Sequence, residues 1–134
     1  MFDSGVDGAF NGDQVAATAD LMVRYFRTHG PATLRDFAWW TKLPQGLIRP
    51  AADSLPPDIE RCGEESQDFV SKVVMDMAEA RRKRSVLLLG AFDEYILGYR
   101  DRSFAMTSEV HEILAPGNRG VFRRAVVVLS LIHI

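Results

Sequence analysis

The stretch GPATLRDFAWWTKLPQGLIRPAADSLPP, residues 30–57, is punctuated so that it holds the end of one helix and the whole of two more. Gly30 lacks a Cβ and Pro31 cannot extend a helix, so an upstream helix is expected to stop here with Gly30 in the left-handed conformation. Thr33 then offers a capping hydroxyl. Asp36, three residues on, completes a capping box in which an acid replaces the usual Glu or Gln. Leu34, Phe37, Ala38 and Thr41 share one face of the helix that follows. Trp39 and Trp40 occupy two further directions, so this helix is expected to be covered on more than one side and to sit centrally in the core. Pro44 and Gly46 break it. Leu47, Ile48, Ala51, Ala52 and Leu55 resume the helical spacing, with Pro50 tolerable only in a first turn. Pro56 and Pro57 end that third helix.

Upstream, Val15, Ala19, Met22, Val23 and Phe26 recur at intervals of three and four and define one face of the first helix. Residues 1–13 are rich in Gly, Asp, Asn and Ser without periodicity, and read as a flexible leader. Downstream, residues 59–62, 63–66 and 68–74 read as strand, polar turn and strand. Three short helices joined by tight breaks match a helix-turn-helix, whose third helix can enter a major groove. A β-hairpin after them makes the plan of a winged helix. A three-helix bundle followed by an unrelated hairpin has the same spacing.

Residues 75–84 read as a helix ending in Arg81, Arg82, Lys83 and Arg84, a basic run that suits a helix C-terminus or a phosphate. Residues 86–89 form a buried-type strand. Phe92, Tyr95, Ile96 and Tyr99 would cover one face if their segment is helical. Residues 108–114 are another short helix, and Pro116, Gly117, Asn118 and Gly120 make a tight loop before an apolar strand over 121–129. The expected fold class is α+β: a flexible leader over 1–14, a winged-helix domain (three helices plus a β-hairpin wing) over 15–74, and an incomplete mixed α/β C-terminal part over 75–134.

The chain has 134 residues, 47% apolar and 25% charged, with 16 Lys or Arg against 18 Asp or Glu. That balance fits a globular chain able to hold a core without disulfides or metal. Its near-neutral charge conceals an asymmetry: residues 1–80 carry 7 bases against 13 acids, whereas residues 81–134 carry 9 against 5. Overall acidity argues against a whole-surface grip on a polyanion, but a positive half can supply a local face. No run approaches the roughly 18 to 20 consecutive apolar residues that span a bilayer. The N-terminus also lacks the basic-then-apolar pattern of a signal peptide, so no membrane partner is expected. Cys62, the single cysteine, excludes an intrachain disulfide and points to a reduced, cytoplasmic setting. His29, His111 and His133 share no metal-ligand spacing with it or with one another, so neither a metal nor a cofactor is expected.

Three motifs carry a family resemblance. HGPATLRDFAWWTKLP (29–44), LLLGAFDEYILGYRDRS (87–103) and PGNRGVFR (116–123) resemble, in order and spacing, the winged-helix proteins related to the AlkZ and YcaQ DNA glycosylases. The combination of AFDEY, GYRDR and PGN-GVFR is the most specific part. The resemblance implies repeated winged-helix units, a β-rich C-terminal part and a bacterial protein that handles duplex DNA, with relatives that excise alkylated or crosslinked bases. Breaking an N-glycosidic bond needs a positioned water, a group to orient it and access to an extruded nucleotide. In the family that group lies in a Gln-x-Gln or Gln-x-Asp motif near the start. Here Gln14, Gln45 and Gln67 stand alone, so no catalytic residue is assigned. The chain also has Gly90 where the family usually has Pro, Arg119 where it has Gly and Arg124 where it has Pro. Its last strand runs into LSLIHI with no turn or pairing strand expected, the pattern of a partial open reading frame.

Among polar residues, Asp93, Glu94, Asp101 and Arg102 are the most site-like, and the preferred reading is structural: hydrogen bonds and ion pairs that fix the GYRDR turn. His29 reads as a helix-end residue and Cys62 as a small apolar residue on the hairpin. The candidate DNA contacts are Lys42 and Arg49 at the third helix, Arg61 and Lys72 on the wing, and a second patch of Asn118, Arg119 and Arg123. Three function classes remain open. They are a DNA-binding fragment of a glycosylase relative without activity by itself, an active base-excision enzyme, and a winged helix used for transcriptional regulation or protein contact. The expected partner is double-stranded DNA. Oligomeric state is not legible in the sequence.

Overall fold

The computed structural model describes residues 12–62, 68–71, 86–128 and 131–133. The chain divides into two compact units, Met1–Asp76 and Met77–Ile134, and mixes helices with small antiparallel sheets. Residues 1–11 of the expected leader, the hairpin turn, Lys72 and the expected basic helix over 75–84 lie outside the described residues, whereas Asp13 and Gln14 already belong to the start of a helix.

In the first unit, α1 (Gln14–His29) starts at Asp13, whose carboxylate accepts from the backbone N–H groups of Val15 and Ala16 at 3.0 Å. It buries Thr18, Ala19, Met22, Tyr25 and Phe26. Val15 and Val23 reach only partial burial, and Tyr25 takes a central place that the aliphatic spacing did not mark. The helix stops at Gly30 as expected but by another geometry. Gly30 is extended (φ −66°, ψ 149°), its N–H still donating to Phe26 O, so the Pro31 ring rather than a left-handed glycine ends the helix.

A two-residue strand, β1 (Ala32–Thr33), leads directly into α2 (Leu34–Thr41). The capping box forms in full: Asp36 N–H donates to Thr33 Oγ1, and Asp36 Oδ2 accepts from Thr33 N and Oγ1 at 2.9 and 2.7 Å. Such a cap stabilises a helix by about 1 kcal/mol. Phe37 is fully buried, and Trp40 meets Tyr25 with ring centroids 5.2 Å apart. Trp39 is 38% exposed, so the expected cover on its side of α2 is missing. The reason is its length: two turns pack against α1, α3 and β1 and leave the outward tryptophan in solvent.

Helix α3 (Gln45–Ala52) buries Ile48 and Ala51 and packs along α1. Pro50 is its sixth residue, not part of the first turn. Pro50 leaves the Gly46 carbonyl without its helical donor. Gly46 is exposed, so water can take that place. Strands β2 (Ile59–Arg61) and β3 (Asp68–Ser71) then pair antiparallel, Ile59 with Ser71 and Arg61 with Phe69, and β1 joins the other side of β3 through Ala32 and Phe69. The sheet order is β1-β3-β2. Phe69 seals the core against Phe26, ring centroids 5.1 Å apart.

The second unit has strand β4 (Val86–Leu89), a single turn α4 (Glu94–Leu97), helix α5 (Ser108–Leu114) and strands β5 (Ala125–Val128) and β6 (Leu131–His133) in the order β4-β5-β6. Strand β4 is not buried: Val86, Leu87 and Leu88 are exposed because, among the described residues, it is an edge strand paired with β5 alone. The aromatic segment is not one long helix either. Ile96 is buried within α4, while Phe92 lies before it and is exposed. Helix α5 begins and ends as expected, capped by Thr107. The apolar strand starts at Ala125, with residues 121–124 a loop that buries Phe122. A pairing strand does follow it: β6 sets Ile132 opposite Val127 and buries it, and the Ile132 N–H donates to Ala105 O at 2.8 Å.

Candidate nucleic-acid interface

The described bases of the first unit fall into two groups. On α1, Arg24 pairs with Asp20 one turn away at 2.8 Å, and Arg27 reaches Asp58 at 2.9 Å with both Nε and Nη2 directed at one carboxylate oxygen. Their charge is locally neutralised. Arg35, Lys42, Arg49 and Arg61 are exposed, and among the described residues none of them has an ion pair. They come from α2, the α2–α3 turn, α3 and β2.

Lys42 is set by the end of α2. It takes the left-handed conformation (φ 59°, ψ 17°) with its N–H on Ala38 O, and its ammonium stands 3.4 Å from the centroid of the exposed Trp39 ring. That contact holds a cation and an aromatic face together beside the start of α3. Arg49 lies on α3 next to buried Ile48 and faces outward. Arg61 lies two residues beyond buried Ile59, with its guanidinium carbon 5.4 Å from the Phe69 ring centroid. Arg35 and Arg61, with Leu34 and Phe69, line a shallow cleft of about 150 Å³. Sequence reasoning passed over Arg35; its position just inside the Thr33 cap was the available signal.

The second patch belongs to the other unit. Its loop is tied at both ends: Gly117 N–H donates to Glu112 Oε1 at 2.8 Å, and Arg123 N–H donates to Leu114 O at 2.9 Å. Gly117 (φ 61°) and Gly120 (φ 77°) supply the left-handed turns that only glycine adopts freely. Arg119 folds across Gly117, where an added Cβ would meet Nε at 3.3 Å. Arg119, Arg123 and Arg124 are exposed, and Asn118 ends the short 3-10 turn Pro116–Asn118. The loop brings these bases to one segment, and they lie in a different unit from Lys42, Arg49 and Arg61.

The acidic cluster is divided among local tasks. Asp93 caps α4 by accepting from Tyr95 N–H, and Asp101 accepts from Ser103 N–H, which holds its carboxyl below the usual carboxylate range. Arg102 is buried and donates from Nε to Ile96 O at 2.7 Å and from Nη1 to His111, with Nη2 unsatisfied. Burial lowers its pKa. The turn is therefore fixed by hydrogen bonds, without a carboxylate on Arg102 among the described residues. His29 stacks on Tyr25 at 4.6 Å between ring centroids and 9° between planes, and Cys62 follows β2, half-buried. Among the described residues no group of His, Cys, Asp or Glu could hold a metal ion, and no helix is long and apolar enough to cross a membrane.

Comparison with known proteins adds two findings. A family model described as "DNA glycosylase AlkZ-like" matches residues 4–130. The solved structure of Streptomyces sahachiroi DNA glycosylase AlkZ is similar in fold, with a TM-score of 0.71 at 21% sequence identity over 88% of this chain. The chain spans 33% of that protein's length. No curated protein sequence matches it.

Proposed function

The chain belongs to the AlkZ-like DNA glycosylase family, and from that premise we propose that it is a DNA-binding portion of a repair glycosylase, with its first unit acting as a winged helix. In this reading the winged-helix domain covers residues 15–74, α3 enters the major groove and the β2–β3 hairpin is the wing. The element order α1-β1-α2-α3-β2-β3 and the sheet order β1-β3-β2 support it. Lys42 and Arg49 contact DNA at the α3 end, and Arg61 and Lys72 contact it from the wing. Asn118, Arg119 and Arg123 form a second contact in the other unit, within the C-terminal region proposed over 75–134.

One observation carries this assignment: among the described residues the cations of α1 are paired with Asp20 and Asp58, whereas those of α2, α3 and β2 are not. A protein that grips phosphates keeps such cations available, because each neutralised phosphate releases condensed counterions. Family membership also implies excision of alkylated or crosslinked bases by the whole protein. That chemistry is assigned to residues other than those named here, since the chain has no Gln-x-Gln or Gln-x-Asp motif. The test has two arms: duplex binding as a function of salt, and release of base from an alkylated duplex. The reading expects steeply salt-dependent binding and no base release by this chain alone. Salt-insensitive failure to bind any duplex would favour a regulatory or protein-contact module instead.

A further inference from the structure

We propose that Arg35 and Arg61 hold a single backbone phosphate of duplex DNA between them, in the cleft that they line with Leu34 and with Phe69 of β3. The inference rests on the DNA-binding reading above and adds a residue and a defined subsite to it. Strand alternation places Arg61 on the same face of β2 as buried Ile59, opposite Phe69 in the register. An apolar side chain would continue the core there. Instead the chain places an exposed guanidinium 5.4 Å from the Phe69 ring centroid, lining the cleft.

Arg35 approaches from the other wall. The acid nearest to it in sequence, Asp36, is buried and committed to Thr33 through both its N–H and hydroxyl. Glu60 occupies the opposite face of β2 by alternation. Two arginines that have no ion pair among the described residues share one cleft, and each can donate in a bidentate manner to phosphate oxygens. The cleft's volume of about 150 Å³ selects the ligand. It is well below the roughly 300 to 1,000 Å³ of pockets that enclose an organic ligand, and suits a compact anion rather than a nucleobase.

The experiment measures duplex binding by the full chain and its Arg35→Gln, Arg61→Gln and double variants across a salt series. Circular dichroism checks that each is folded. Each single change should weaken binding on the order of tenfold. The double variant should lower the salt slope by about 0.9, the value for one phosphate. A scan of single neutral methylphosphonates along the duplex should find one position that weakens the wild-type chain and leaves the double variant unchanged. Unchanged slopes, a loss of about 1.8 expected for two separate phosphates, or the absence of such a position overturns the shared-phosphate site while leaving duplex binding intact. Equal competition by inorganic phosphate at constant ionic strength identifies a free-anion site and also overturns it. A wild-type chain that binds no duplex removes both this inference and the reading beneath it.

Discussion

Nη1 of Arg102 lies 3.3 Å from Nε2 of His111. A guanidinium only donates, so Nε2 is the acceptor and the imidazole carries its proton on Nδ1. Arg102 is 4% exposed, its Nε donates to Ile96 O, and its guanidinium carbon is 5.2 Å from the Phe122 ring centroid. One cation thus ties an α4 carbonyl, α5 and the loop before β5 into the second core, and the GYRDR segment is first a structural motif.

Removing the acceptor tests this directly. His111→Phe leaves a second buried donor of Arg102 unsatisfied and should destabilise the protein by about 1 to 3 kcal/mol. His111→Gln, which keeps an acceptor, should lose less. Urea denaturation followed by circular dichroism measures both, and equal losses would show that ring packing, not the hydrogen bond, is what His111 supplies.

The buried charge itself gives a second outcome. Arg102→Met removes the charge and fills apolar space, whereas Arg102→Lys keeps a charge on a more strongly hydrated group that cannot span both acceptors. The Lys variant should be the less stable of the two, although it is the more conservative by charge. The reverse order in thermal melts would contradict the assignment of Arg102 to the core.

Thr33→Val keeps the shape of the cap residue and deletes its hydroxyl. The box with Asp36 is complete, so the loss should be about 1 kcal/mol, read as a lower urea midpoint with an unchanged slope.

Hydrogen bonds from Ser103 lower the pKa of Asp101. A carboxyl with a depressed folded pKa contributes stability above its unfolded value, near 3.8, and loses it as pH falls through the lower folded value. The group is largely solvated, so the contribution is small. Asp101→Asn should therefore leave a slightly shallower acid limb in a stability-against-pH curve below about pH 4, with little change in that limb's form at neutral pH.

Lys42 separates fold from binding. Glycine is the residue that best tolerates its left-handed backbone, while losing the ammonium over Trp39 removes a contact worth about 0.5 to 1 kcal/mol at an exposed site. The two effects oppose. Lys42→Gly should melt close to wild type yet lower the salt slope of duplex binding by about 0.9. An unchanged slope removes Lys42 from the interface.

Local signals were legible in the sequence. Thr33 with Asp36 marked the start of α2, Pro31 the end of α1 and residues 108–114 the span of α5, because caps and breakers act within a few residues. Features set by distant partners were not. Strand β1 is two residues long, too short for periodicity, and exists through its pairing with β3. Val86, Leu87 and Leu88 read as buried because apolar runs usually are, yet exposure depends on which strand lies beside them. The same limit applied to the site. Nothing local distinguishes Arg27 from Arg35; only the fold brings Asp58 to Arg27 across 31 residues, and only the fold sets Arg35 and Arg61 on one cleft with Phe69.

That division between paired and unpaired cations is the central claim, and the salt dependence of duplex binding tests it most directly. Arg24→Gln/Arg27→Gln should bind with the wild-type slope, whereas Arg35→Gln/Lys42→Gln/Arg49→Gln/Arg61→Gln should lower the slope by up to about 2.7, three phosphates' worth. Equal slopes for the two variants, or a wild-type chain with no salt-dependent binding, would contradict the account.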